Sequence, residues 1–298
     1  SGQSLKGWVY TTTDPINGKW ELHSTLPCYG DASIFFDDDG RAYMFYESGM
    51  ICELKPDLTG VLEGGLNKRL FERDNEDNNL LEGSRVIKKD GKYYLMMISW
   101  PHGGIRRELC YRADKIEGPY EKKVILDTPF GGLGAGVAQG TIVDDPQGNW
   151  YAIMFQDRDG LGRAPMLMPC KWVDGWPVLG ENGGKVPEKM TKPIQGHEVK
   201  SITKSDGFDS DRLNLCWQWN HNPIDDAWSL TERPGYLRLK TNKTVESIYT
   251  ARNTITQRME GPQCSASVAM DLKNMKEGDV AGFSAFNGDA AVMSVTMK

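Results

Sequence analysis

Histidine is scarce in this sequence, with four residues in 298 and none in a His-Glu-x-x-His arrangement. That speaks against a zinc hydrolase of the kind that holds its metal with two imidazoles on one helix face. The six cysteines (Cys28, Cys52, Cys110, Cys170, Cys216, Cys264) are scattered with no Cys-x-x-Cys pair and no His spacing that would make a zinc site, so mostly buried free thiols are expected. No block of Lys or Arg occurs and the net charge is −6, which speaks against nucleic acid or an anionic membrane as partner. No stretch approaches the roughly 18 apolar residues of a membrane span, and the N-terminus shows neither a signal peptide nor an initiator Met. Long helical periodicity is missing as well.

What remains is strand. Short β-branched or aromatic runs end at Asp-Gly and similar turns, so the fold is expected to be mainly β. Nine Trp and eleven Tyr suit an all-β core and also a cleft on which sugars stack. Three segments align without a gap: DASIFFDDDGRAYMFY from Asp31, EGSRVIKKDGKYYLMM from Glu82 and QGTIVDDPQGNWYAIM from Gln139. In each a polar residue opens an apolar strand, a Gly turn follows nine residues later (Gly40, Gly91, Gly148) and a Tyr three beyond (Tyr43, Tyr94, Tyr151). The pattern is a repeated hairpin. Its spacings of 51 and 57 residues fit a four-stranded β-propeller blade better than a solenoid turn. The first strand of each blade lines the axis of a propeller, so Asp31, Glu82 and Gln139 should converge on one funnel although they are far apart in sequence.

A second repeat marks blade ends: DPINGKWE from Asp14 matches DKIEGPYE from Asp114. The offset from Glu82 to Asp114, applied to Asp14, puts that blade's start upstream of Ser1. The chain is therefore expected to begin inside a blade, with Asp14 a turn residue. After Trp172 the signal fades through DGWPVLGENGG and a stretch rich in Pro and Lys. Residues 1–195 are read as propeller and 196–298 as part of a β-sandwich, where Ala266, Val268, Met270 and Leu272, and the run from Gly235 to Leu239, alternate as half-buried strands do. The run 37–39 of three Asp is read as a solvated turn, and Asn242-Lys243-Thr244 as a glycosylation sequon in form only.

On these segments the chain resembles glycoside hydrolase family 43, the β-xylosidases, α-L-arabinofuranosidases and arabinanases. The family's Asp-Pro-Ser-Leu-Phe…Asp-Asp-Gly blade start stands here as DASIFFDDDG, with Ala32 in place of the Pro. Its Glu-Gly-Pro-His…Gly-Tyr-Tyr-Tyr-Leu start stands as EGSRVIKKDGKYYL, and its Leu-Gly-Arg segment as LGRAPMLMPCKW followed by DGWPV. CWQWNHNP and WSLTERPGYLRL are similar to the accessory domain of longer members. The resemblance implies a five-bladed propeller, with its first blade and most of its second absent from this chain, and hydrolysis with inversion. It implies Glu82 as general acid, Asp31 as the carboxylate that orients that acid and modulates its pKa, and Arg163 as an arginine on the sugar. The general base belongs to the first blade and has no counterpart here. The resemblance implies no required cofactor and leaves a structural calcium as a possibility against which Gln139 speaks, since it stands where many members carry a His tied to an axial calcium or water.

The chemistry agrees with that assignment. An inverting glycosidase needs an acid for the leaving oxygen and, about 6.5–9.5 Å away, a carboxylate that activates water. A further carboxylate beside the acid raises its pKa by like-charge repulsion, and an Arg holds sugar hydroxyls without a proton to lose. Gln139, Trp100 and His102 are the remaining candidates for substrate contact, the last two because they follow the acid's hairpin. The expected substrates are xylo-oligosaccharides or arabinoxylan; a carbohydrate-binding propeller without catalysis is the alternative. A retaining fructosidase-type propeller fits less well, since its acid sits in a Glu-Cys pair and Gly83 follows Glu82 here.

Overall fold

Each repeat segment folds as the hairpin its sequence predicts in the computed structural model, which describes residues 5–298 apart from Asn78, His197, Val199 and Pro262. Ahead of the repeats, strands β1 (Lys6–Thr11) and β2 (Glu21–Pro27) form an antiparallel pair. Between them Asp14 accepts the backbone N–H groups of Ile16 and Asn17, both at 3.0 Å, as a turn-capping Asp does. The first repeat opens the four-stranded sheet β3 (Ser33–Phe36), β4 (Ala42–Tyr46), β5 (Met50–Leu54) and β6 (Asn67–Arg69). The second opens β7 (Leu81–Lys89), β8 (Lys92–Ser99), β9 (Arg107–Ala113) and β10 (Glu121–Leu126). The third opens β11 (Val137–Asp144), β12 (Trp150–Asp157), β13 (Arg163–Val173) and β14 (Trp176–Leu179). All three sheets are antiparallel with strands in sequence order. The β7–β8 turn, Asp90-Gly91, has positive φ at both residues (50° and 76°), the mirror-image turn whose twist matches a hairpin.

The sheets stack face to face, and the alternation of each strand divides its side chains between two neighbours. In β8, Tyr93, Leu95 and Met97 join Tyr43, Phe45 and Ile51 of the first sheet, while Tyr94 and Met96 join Ile142, Ala152 and Met168 of the third. In β4, Ala42 and Met44 turn the other way, towards Leu26 of β2. Burying a Leu or Met side chain fully contributes roughly 1.5–3 kcal/mol. β7 lies against β3 on one side and β11 on the other, so the first strands of successive sheets are neighbours, as in a propeller.

Three expectations need correction. Asp37 is not solvated: it is 8% exposed, ion-paired to Lys88 of β7 at 2.5 Å and hydrogen-bonded by Tyr93, and so ties the first sheet's hairpin to the second sheet. Only Cys52, Cys110 and Cys170 of the six free cysteines are buried; Cys28 and Cys264 are exposed and Cys216 is intermediate, because only the first three fall on strands with both faces covered. In the second compact unit, which takes in Ile194–Lys298, the alternating segment around Val268 and Met270 joins no ladder among the described residues, and those side chains are 52% and 41% exposed. Alternation marks a segment able to pair, but a strand also needs a partner's N–H and C=O groups opposite it. Among the described residues of this unit the ladders are three antiparallel pairs. β15 (Gln218–Trp219) pairs with β18 (Ile255–Thr256), β16 (Trp228–Ser229) with β17 (Arg238–Leu239), and β19 (Val280–Asn287) with β20 (Asp289–Thr296). Of the run from Gly235 only β17 pairs.

Candidate active site

Glu82 enters the site on a bulge. The register of β7 against β8 shifts between Glu82 and Arg85, and Gly83 in between has φ 73°. A side chain at Gly83 is excluded twice, by that backbone conformation and because its Cβ would stand 2.7 Å from Gln139 Nε2. Bulges of this kind re-aim a neighbouring side chain. The third sheet repeats the device: β11 shifts register between Ala138 and Thr141, with Gln139 at φ 58°. In the first sheet Asp31, just before β3, has φ 46°.

The Glu82 carboxyl is half-buried, and its pKa is raised above the usual glutamate range. Burial is the largest cause, followed by the charge of Asp31 and a hydrogen bond with it, while the charges of Arg163 and Arg106 pull the other way. Glu82, Asp31, Gln139 and Arg163 are therefore brought together from three separate sheets. Arg163 opens β13; its Nε lies 3.6 Å from Asp157 Oδ1 and its guanidinium 4.8 Å over the Phe155 ring. Arg106, just before β9, also pairs with Asp157 and lies 4.9 Å from the Trp100 ring centre. Burial, then the charge of Arg163, weakens the hold of Arg106 on its proton, although Arg remains charged at any working pH. Asp157 thus joins two guanidinium groups whose charges both act on Glu82.

Trp100 reaches the site through Arg106. Its indole N–H donates to the Gly104 carbonyl at 3.0 Å, which folds the loop back, and His102 is exposed at the tip of that loop. Arg106 and Asp157 escaped the sequence reading, since the repeat marks only first strands. The Arg106-Arg107 pair closing the loop behind the acid's hairpin was the available signal for the first. Among the described residues no three His, Cys, Asp or Glu side chains converge in a metal-ligating group. Gln139, where many family members carry a His, offers one amide oxygen in its place.

Residues 2–177 match the family described as "Glycosyl hydrolases family 43", and residues 205–298 match "Beta xylosidase C-terminal Concanavalin A-like domain". A putative beta-xylosidase of Xylanibacter ruminicola is 33% identical over 281 residues, which cover 89% of this chain and 52% of that protein. A non-reducing end alpha-L-arabinofuranosidase of Bacteroides ovatus is 29% identical, covering 94% and 55%. Among solved structures, a bifunctional GH43-CE protein of Bacteroides eggerthii superposes with a TM-score of 0.87 at 44% identity, covering 98% of this chain and 38% of that one. A GH43 protein of Bacillus licheniformis superposes with a TM-score of 0.72 at 27% identity, covering 86% and 52%. The chain spans about half the length of the curated relatives it matches.

Proposed function

The chain belongs to glycoside hydrolase family 43, and from that premise we propose that it supplies the acid side of an active site that releases xylose or arabinose from xylan-type chains with inversion. The observation that carries the proposal is Glu82: a half-buried carboxyl on a bulged first strand, its pKa raised by burial and then by Asp31. A carboxyl tuned in this way still holds a proton at a pH where an ordinary glutamate has lost it, which is what protonation of a glycosidic oxygen requires. Asp31 orients it. Arg163 and Arg106, held by Asp157, donate to sugar hydroxyls. Gln139, Trp100 and His102 flank the sugar.

The base, a carboxylate about 6.5–9.5 Å from the acid across the sugar ring, comes from a part of the protein beyond this chain, and the three sheets with the β1–β2 pair belong to a five-bladed ring. Relatives named as beta-xylosidases and as an alpha-L-arabinofuranosidase support catalysis over binding alone, and support these two sugars as substrates. The test is to incubate the full-length protein with aryl β-xyloside and aryl α-L-arabinofuranoside and to follow the anomer first released by NMR. Release of the inverted anomer from at least one is expected; release of the retained anomer, or of nothing from either, would sink the reading.

A further inference from the structure

One buried acid has no part in that chemistry. Glu108 lies in β9 with no exposed surface, on the side of the strand that Cys110 turns towards the third sheet. Its Oε2 accepts the backbone N–H of Gln139 at 2.7 Å, and its Oε1 is buried without a hydrogen-bond partner among the described residues. Burial pushes this carboxyl up to about 8, against the pull of the Gln139 N–H and of Arg85. An apolar side chain of similar size would avoid both the desolvation and the orphaned oxygen, so packing alone gives no reason for an acid here.

Glu108 does, however, hold the bulge beside the acid. Gln139 carries a side chain at φ 58°, where residues other than Gly are disfavoured. The register shift of β11 leaves its N–H outside the regular ladder with β12. That N–H needs an acceptor from elsewhere, and Glu108 provides one. The Gln139 side chain then lies on Gly83, close enough that a Cβ there would stand 2.8 Å from Gln139 Cγ and 2.7 Å from Nε2. Gly83 is the residue on which Glu82 turns. Glu82, Ile98 and Glu108 also share one cross-strand row, with the apolar Ile98 between the two acids; the polar link from Glu108 to Glu82 runs through Gln139 and Gly83.

We propose that Glu108 is a positioning residue for the acid: its carboxyl fixes the Gln139 bulge, and the Gln139 side chain, pressed on Gly83, sets the direction in which Glu82 presents its proton. The inference rests on Glu82 being the acid. A group that acts only by aiming a proton donor matters only where the leaving group needs the proton. In the full-length protein, kcat and KM are measured for the disaccharide and the dinitrophenyl glycoside of the preferred sugar, with Glu108→Leu, Glu108→Gln, Gln139→Ala and Glu82→Gln. Glu108→Leu is expected to lower kcat on the disaccharide at least 30-fold, to stay within threefold on the dinitrophenyl glycoside and to leave KM within threefold. Glu108→Gln keeps an acceptor for the Gln139 N–H and should stay within threefold on both substrates. Gln139→Ala also removes a group placed beside the sugar, so its KM is not compared; its kcat should fall at least tenfold more on the disaccharide than on the dinitrophenyl glycoside, and this difference decides the matter if Glu108→Leu does not fold. The same split in Glu82→Gln together with none in Glu108→Leu or Gln139→Ala would overturn this inference alone. Equal losses on both substrates in Glu82→Gln would overturn the acid reading and this inference with it.

Discussion

Burial is the largest influence raising the pKa of Glu82 and Asp31 adds to it, while two guanidinium groups act in the opposite direction. Cations favour the carboxylate, so removing either should let Glu82 keep its proton to higher pH. Arg106→Ala and Arg163→Ala are each expected to move the alkaline limb of kcat/KM upward. The losses should differ in size, because the Arg106 side chain is 26% exposed and that of Arg163 is 64% exposed. A charged donor in the more enclosed setting contributes about 1.5–3 kcal/mol to kcat/KM, and Arg163→Ala should cost less. Full pH profiles of both variants check this; an unmoved alkaline limb in both would mean that neither charge is felt at the acid. At this scale the first-strand residues Asp31, Glu82 and Gln139 were legible because a repeat aligned them. Arg106, Asp157 and Glu108 were not, because they come from the ends and interiors of outer strands, where each sheet differs from the next.

Between elements, buried ion pairs fasten segments that the apolar core alone would leave free to shift. Asp77, in a short 3-10 turn (Asn75–Asp77), is wholly buried. It meets Lys122 of β10 at 2.8 Å and Arg107 of β9 at 3.0 Å, and it accepts the Ser99 hydroxyl of β8. Burial alone would raise its pKa, but the hydrogen bonds from Lys122, Ser99 and Arg107 outweigh it and bring the carboxyl down to about 2. A carboxyl depressed by folding contributes stability that is present above its unfolded value, near 3.9, and lost as pH falls through the folded one. Urea unfolding should therefore show stability declining between about pH 4 and pH 2 in the wild type, and less steeply in Asp77→Asn. At pH 7 that variant should be less stable by on the order of 3 kcal/mol; a change under 1 kcal/mol would mean that the pairs contribute little. The hairpins were legible in the sequence because Asp-Gly and similar turns encode them locally. The tie from Asp37 to Lys88 and the missing ladder around Val268 were not, since both depend on what another segment places opposite.

At the scale of the whole molecule, the proposed function puts the acid in this chain and the base beyond it. Residues 1–298 expressed alone should leave aryl-xylosides intact, because an acid without a base cannot activate water. Turnover within tenfold of the full-length protein would place the base inside the chain. The most direct measurement concerns where the transferred proton comes from. In the full-length protein Glu82→Gln keeps the shape of the side chain and removes the proton. Cleavage of xylobiose, whose leaving alkoxide is strongly basic, should fall by about 10²–10⁴-fold. The dinitrophenyl glycoside, which leaves unaided, should be hydrolysed at a kcat reduced far less, and the alkaline limb of the pH profile should flatten. Equal losses on both substrates, with that limb unchanged, would contradict the account.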